Sequence, residues 1–418
     1  MRVETLADVR EDGSLIYLLA SVTPTLAISA ERNPVNLALV IDRSSSMRGP
    51  RIRQALAAAR ELASRLEARD RLTLIAFDNA ARTVFGPDNV SERGKEEVLA
   101  ALDSIETGVG TNVAAAIRAG ADAITSGFVR GALSRLILLT DGQPSVGITD
   151  ASRLCALVEK EYARGVSTTT MGLGHSFEDE LLAEMARRGR GGFYYLASPA
   201  DIPAAFGREL DGVFSIAATE TKLKFLPHDD VVSVEVLHRL PSVVLDDRLE
   251  VEIGEVATGA PRHVLLKIVR NPLSGASNLG TLTLTHKRPG GKRGDPKIIG
   301  VELPAGRDDA ARRVVHTERL RLAVASAVDT AWARRASSDS SGALFGLEKI
   351  RERVLEARED KTADPDVIAG LLADMSAAES AVEKSAAERE ELRRGMREQS
   401  QVTLLGRSVV TRLPRDED

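Results

Sequence analysis

The spacing of apolar positions changes twice along this chain, and each change predicts a different architecture. Over residues 35–215, short apolar runs alternate with stretches in which apolar residues recur every three or four positions. Val35–Ile41 and the run from Leu136 to Leu139 read as buried strands, and Arg71–Phe77, the β-branched Val166–Met171 and Gly192–Leu196 as further strands. Ile52, Leu56, Ala59, Ala63 and Leu66 mark one face of a helix, with Pro50 where a first turn tolerates it. Helices are also predicted over Glu92–Leu102, Val113–Ala123, Asp150–Arg164, Phe177–Arg188 and Asp201–Val213, with Ala81–Phe85 as an edge strand. This alternation predicts an α/β domain, a doubly wound and mostly parallel sheet with helices on both faces.

From residue 216 to about 305 the period becomes two. Lys222–Leu226, Val231–Leu237, Leu249–Ile253, His263–Val269 and Leu279–Thr285 are separated by turn-rich segments and predict an antiparallel β-sandwich. Residues 1–34 also read as short strands, Ser14–Val22 most clearly, and so small a piece cannot bury its apolar face alone. They are the natural partners of the later strands, which makes the α/β domain an insertion into the sandwich. Residues 306–400 read as helical. Asp308 caps a helix through Val314, Leu320 and Val328, Leu344–Leu355 mark a second, and Asp364-Pro365 opens a third that runs to about Gln399. Ser337–Gly342 reads as a flexible turn, Trp332 as helical core, and the charged run Glu388–Arg397 as a solvated helix face. In the tail, 401–418, Gln401–Leu413 alternates like a strand before the acidic Asp416, Glu417 and Asp418, which are candidates for self-association through the site described next.

At 418 residues the chain exceeds one ordinary core, and 43% hydrophobic with 28% charged residues is the composition of a globular protein. A net charge of −5 argues against general nucleic-acid binding. The single cysteine, Cys155, has no internal disulfide partner and falls in a helical pattern, as a small buried residue would. The polar amino terminus has no signal-peptide core, and no apolar run reaches ~18 residues, so a cytoplasmic protein without a transmembrane segment is expected.

The chemistry concentrates where the first buried strand ends. Asp42, Ser44 and Ser46 follow it in a loop that leads into a helix, and ligands bind at such strand ends in open α/β sheets. Three hard oxygen donors in one short loop suit a small divalent cation. Aspartate and serine are also ordinary helix caps, so the spacing alone decides little. Two later loops add to it: Gly108–Asn112 before a helix, and Thr140-Asp141-Gly142 after a second buried strand. With these in place the chain resembles the von Willebrand factor A domain and its metal-ion-dependent adhesion site, D-x-S-x-S completed by a threonine and an aspartate. The resemblance implies a metal held by Asp42, Ser44, Ser46, Thr111 and Asp141: Mg²⁺, with Mn²⁺ or Ca²⁺ as alternatives. Ser45 stands where the family commonly has glycine. Asn112 reads as a cap, His175 as a loop histidine on the same sheet edge, and Asp141 as lying on a solvent-accessible loop. The layout of inserted domain and sandwich is similar to that of integrin β chains and some bacterial multidomain proteins.

Hydroxyl ligands with only two carboxylates leave a metal electron-poor, able to accept a carboxylate from an Asp or Glu of a protein partner. The resemblance therefore implies a non-catalytic protein-interaction module. A regulatory or adaptor subunit of an AAA+ ATPase complex, of the magnesium chelatase or MoxR-like kind, is the alternative. A metal-dependent hydrolase fits less well, because no general base is evident beside the metal and neither a G-x-S-x-G elbow nor a P-loop is present.

Overall fold

In Ser14–Val22 and His263–Val269 apolar residues sit at adjacent as well as alternate positions, so both faces of each strand need cover. In a computed structural model each strand has it. The structure describes residues 1–10, 12–25, 32–174, 179–271, 273, 276–289, 291–304, 308–336, 339–383, 396–400 and 402–405. The chain opens with the antiparallel pair β1 (Arg2–Val9) and β2 (Leu15–Thr23). It continues through β3 (Val35–Asp42), α1 (Pro50–Ser64), β4 (Arg71–Phe77), β5 (Ala81–Asn89), α2 (Glu92–Asp103) and α3 (Val113–Ser126). Next come β6 (Leu133–Thr140), α4 (Ala151–Ala163), β7 (Ser167–Leu173), α5 (Asp179–Arg188), β8 (Arg190–Leu196) and α6 (Ile202–Phe214). Seven strands follow: β9 (Ile216–Pro227), β10 (Val231–Val236), β11 (Ser242–Val244), β12 (Leu249–Ala257), β13 (Arg262–Arg270), β14 (Asn278–Lys287) and β15 (Lys297–Glu302). Helices α7 (Asp309–Ala336), α8 (Ser340–Glu359) and α9 (Pro365–Glu383) complete the order. Two units result, one of residues 28–216 with 289–291 and the other of the remaining residues.

In the inserted unit the sheet runs β5-β4-β3-β6-β7-β8, parallel except for the β4–β5 pair. All eight residues of the central strand β3 are buried. Leu37, Leu39 and Ile41 pack with α1, α2 and α6 on one face, and Ala38 and Val40 with α3, α4 and α5 on the other. The chain moves from β3 to β4 in one direction and returns to β6 on the other side of β3. Adjacent loops diverge at this reversal, and the carboxyl ends of β3 and β6 flank the crevice it leaves.

In the other unit two antiparallel sheets, β1-β2-β13-β10 and β11-β12-β9-β14-β15, enclose a shared core. Ile16, Leu18, Ala20 and Val22 of β2 and Val264, Leu266 and Ile268 of β13 point into it. The alternate residues Tyr17, Leu19 and Leu265 face Val315, Leu322 and Ala325 of α7. Arg319 stacks 3.6 Å from the centre of the Tyr17 ring, and Asp8 accepts hydrogen bonds from Arg312 and Arg319. Buried Trp332 belongs to a core shared by α7, α8 and α9. No helix among the described residues is long and apolar enough to cross a membrane.

Several local expectations are corrected. Ser340–Gly342 are not a flexible turn but the first turn of α8, capped by Asp339, whose carboxylate accepts from the Gly342 amide at 2.9 Å. Val402–Leu404 are helical where a strand was predicted, because Leu404 joins the apolar layer between α7 and the sheet. β11 and β15 were not foreseen. His175, most of the charged run 388–397 and the acidic residues 416–418 lie outside the described residues.

Candidate metal centre

Asp42 is the last residue of β3 and is wholly buried. Its Oδ1 accepts the Ser44 amide at 2.8 Å and its Oδ2 the Thr140 hydroxyl at 2.6 Å, so the ends of β3 and β6 are tied through one carboxylate. Burial dominates its electrostatics. It raises the Asp42 pKa from 3.8 to about 6 against the two hydrogen bonds, and nearby Asp141 pushes in the same direction. A short 3₁₀ turn over Ser45–Met47 follows, anchored by fully buried Met47. Ser45 is not among the residues with positive φ, so replacing the family's common glycine strains nothing here. The turn brings Ser44 Oγ to 3.0 Å from Ser46 Oγ, and Ser46 Oγ donates to Asp141 Oδ1 at 2.6 Å.

Thr111 arrives from the loop before α3. Gly110 adopts φ +77°, a conformation that favours glycine. A Cβ on Gly108 would stand 1.9 Å from Asp78 Oδ2, so any side chain there would displace that carboxylate. That carboxylate pairs with Arg43 at 2.7 Å, and Arg43 also donates to the Glu106 carbonyl at 2.9 Å. The residue between Asp42 and Ser44 thus braces the threonine loop. Asn112 caps α3, its Oδ1 accepting from the Ala115 amide at 3.0 Å. The Thr111 hydroxyl has no hydrogen-bond partner among the described residues although the residue is only 5% exposed.

Whether these groups suit a cation is tested by Gly142. A Cβ built there would lie 3.5 Å from Thr111 Oγ1 and 3.8 Å from Ser46 Oγ. Glycine therefore leaves clear the space onto which both hydroxyls open. Ser46 is exposed while Asp42, Ser44, Thr111 and Asp141 are buried, giving a mouth of one residue above a polar floor. Among the described residues no three or more His, Cys, Asp or Glu side chains gather to hold a metal. A cation here would rest on two carboxylates and three hydroxyls, the donor set of a hard divalent ion with few charges.

The five residues singled out in the sequence are brought together, but Asp141 is not where it was expected. It is wholly buried rather than on a solvent-accessible loop. Arg51 is the reason: Nη1 of this residue, in the first turn of α1, donates to Asp141 Oδ2 at 2.5 Å and to the Ser46 carbonyl at 3.1 Å. Arg51 and Thr140 were both missed. Thr140 stood beside Asp141 in the quoted Thr-Asp-Gly, and a cation in a first helical turn, where the helix dipole disfavours it, was a legible oddity.

Residues 36–207 match the model of the von Willebrand factor type A domain. An uncharacterized Synechocystis sp. protein, sll0103, is 25% identical over 283 residues, 65% of this chain and 66% of its own length. The uncharacterized Escherichia coli protein YfbK is 28% identical over 199 residues, and this chain spans 34% of it. Among solved structures, a von Willebrand factor type A protein from Catenulispora acidiphila superposes with a TM-score of 0.71 over 96% of both chains at 15% identity. That likeness includes the sandwich and the helices as well as the inserted unit, and at this identity it concerns the fold. Residues 36–207 are a von Willebrand factor type A domain, of the kind that generally mediates protein–protein interaction, inserted in an antiparallel sandwich that continues into helices.

Proposed function

We propose that this chain is a Mg²⁺-dependent protein-interaction module. Asp42, Ser44, Ser46, Thr111 and Asp141 hold the ion, which accepts an Asp or Glu carboxylate from a protein partner without chemistry on that partner. The observation that supports this reading best is the Thr111 hydroxyl, which has no hydrogen-bond partner among the described residues and opens onto the space that Gly142 leaves. The ion supplies Lewis acidity toward an incoming carboxylate. The protein supplies placement: Thr140 and the Ser44 amide orient Asp42, and the Arg43–Asp78 pair fixes the loop that carries Thr111. Two protein charges make for weak binding of the metal alone, with a dissociation constant of roughly 10⁻⁴–10⁻³ M, tightening when a partner's carboxylate completes the site.

Calorimetric titration of the full chain with MgCl₂, repeated with MnCl₂ and CaCl₂, tests this. Wild type is expected to bind, and Asp141→Ala, which removes a charge and a ligand, is expected to give no binding heat. Partner capture should likewise depend on Mg²⁺ and disappear in the variant. Wild-type-like Mg²⁺ binding by Asp141→Ala would overturn the assignment.

A further inference from the structure

Arg51 is the second residue of α1, in the turn that carries the positive end of the helix dipole. A cation there is disfavoured unless something else holds it. What holds it is the most buried carboxylate of the candidate site outside β3. Asp141 has no exposed surface, the Arg51 side chain is 33% exposed, and the two meet at 2.5 Å. The guanidinium therefore reaches Asp141 from the solvent side. With Ser46 Oγ on Oδ1 and Arg51 on Oδ2, both oxygens of this carboxylate are occupied.

We propose that Arg51 is a tethered counter-cation, which neutralises Asp141 in the metal-free protein and must release it before a divalent ion can bind. This inference rests on the metal reading of the site. Without any cation, Asp42 and Asp141 would be two wholly buried carboxylates at one site, linked through the Ser44 and Ser46 hydroxyls. Arg51 offsets one of those charges. A divalent ion offsets both, and a guanidinium kept against the same carboxylate then repels it. Unit charges at contact distance interact strongly even near a protein surface, and the partial exposure of Arg51 screens the effect to about tenfold in metal affinity. The arginine so weakens metal binding until a partner's carboxylate adds negative charge on the metal's side, which makes metal and partner bind cooperatively.

Three full-length proteins test this: wild type, Arg51→Gln and Arg51→Lys, each titrated with MgCl₂ by calorimetry and melted in EDTA and in saturating MgCl₂. Arg51→Gln is expected to bind Mg²⁺ about tenfold more tightly than wild type. It should also melt lower in EDTA and show a larger Mg²⁺-induced rise. Arg51→Lys keeps a cation and should restore wild-type weakness. A positioning role alone predicts the opposite sign, weaker Mg²⁺ binding in Arg51→Gln. Equal or weaker binding by Arg51→Gln than by wild type overturns the counter-cation while leaving the metal site standing. Absence of Mg²⁺ binding in both proteins overturns the metal reading and this inference with it.

Discussion

At Asp42 the chain keeps a carboxylate where burial works against it. The gap between its ordinary pKa of 3.8 and about 6 in the folded protein corresponds to about 3 kcal/mol against folding at neutral pH. Domains are stable by only about 5–15 kcal/mol, so this is a substantial sacrifice for one side chain. Asn at this position keeps an acceptor for the Ser44 amide and presents an NH₂ to the Thr140 hydroxyl without the charge. Asp42→Asn is therefore expected to raise the melting temperature of the metal-free α/β unit at pH 7.5 by about 6–12 °C in scanning calorimetry. It should also erase any Mg²⁺-dependent rise. An unchanged or lower melting point in EDTA would mean that Asp42 is not strained by burial. The five oxygen donors were legible because three lie within five residues, while Thr111 precedes a helical pattern and Asp141 ends a strand pattern. Arg51 was legible only as an oddity, since its partner is 90 positions away and nothing in the spacing links them.

At the scale of elements, legibility followed burial. β3, β2 and β13 are covered on both faces, and their unbroken apolar runs announced them. β11, whose three residues are all exposed, and β15, with a single buried residue, are edge strands with no such run to read. β2 also shows what its sheet requires, because it hydrogen-bonds to β1 on one side and β13 on the other. Its inward Ile16, Leu18, Ala20 and Val22 contribute on the order of 5–9 kcal/mol by burial, comparable to the whole stability of a domain. A fragment of residues 216–304, lacking β1 and β2, is expected to show no cooperative thermal transition by circular dichroism, whereas residues 32–216 should melt cooperatively. A cooperative melt from 216–304 alone would refute the shared sheet as a condition for folding.

For the whole molecule, the two units should answer mild acid in opposite directions. Around α7, burial lowers the pKa of His263 and of His316 below the ordinary 6.5, with Arg321 and Arg319 adding to the respective shifts. The unfolded chain then takes up those protons first, so their contribution to stability is intact above pH 6.5 and falls as the pH drops through it. Glu318 feels burial most, which alone would raise its pKa, but the hydrogen bond to His238 and neighbouring positive charge bring it below 4.5. Its stabilising contribution is lost only in stronger acid. Asp42 has the reverse sign: its cost is full above about pH 6 and shrinks toward 3.8. Hydrogen exchange, corrected for intrinsic rates, should show α7 and β13 losing protection from pH 7 to 5.5 while β3 and β6 hold or gain it. Parallel changes in both units would contradict this. None of this opposition was visible in the sequence, because His238 and His263 reach α7 only through the sheet register that brings them there.

The insertion also sets an order in time. Ser21 and His263, hydrogen-bonded across β2 and β13, are 242 residues apart, so at ~5–20 residues per second β2 leaves the ribosome some tens of seconds before its partner exists. An apolar strand waiting that long is an invitation to mispairing. The α/β unit shortens the search rather than the wait. Once folded, it sets Asn33 beside Ile216, the Asn33 side chain donating to the Ile216 carbonyl at 3.3 Å, and stacks Arg32 on Phe214. The two ends of the inserted segment then leave side by side, and the 242-residue separation of Ser21 from His263 shrinks to an effective tether of roughly fifty residues, with a correspondingly smaller closure entropy. A substitution that slows folding of the inserted unit should therefore delay sandwich formation during synthesis, and lower the yield of soluble chain more than its effect on final stability would suggest.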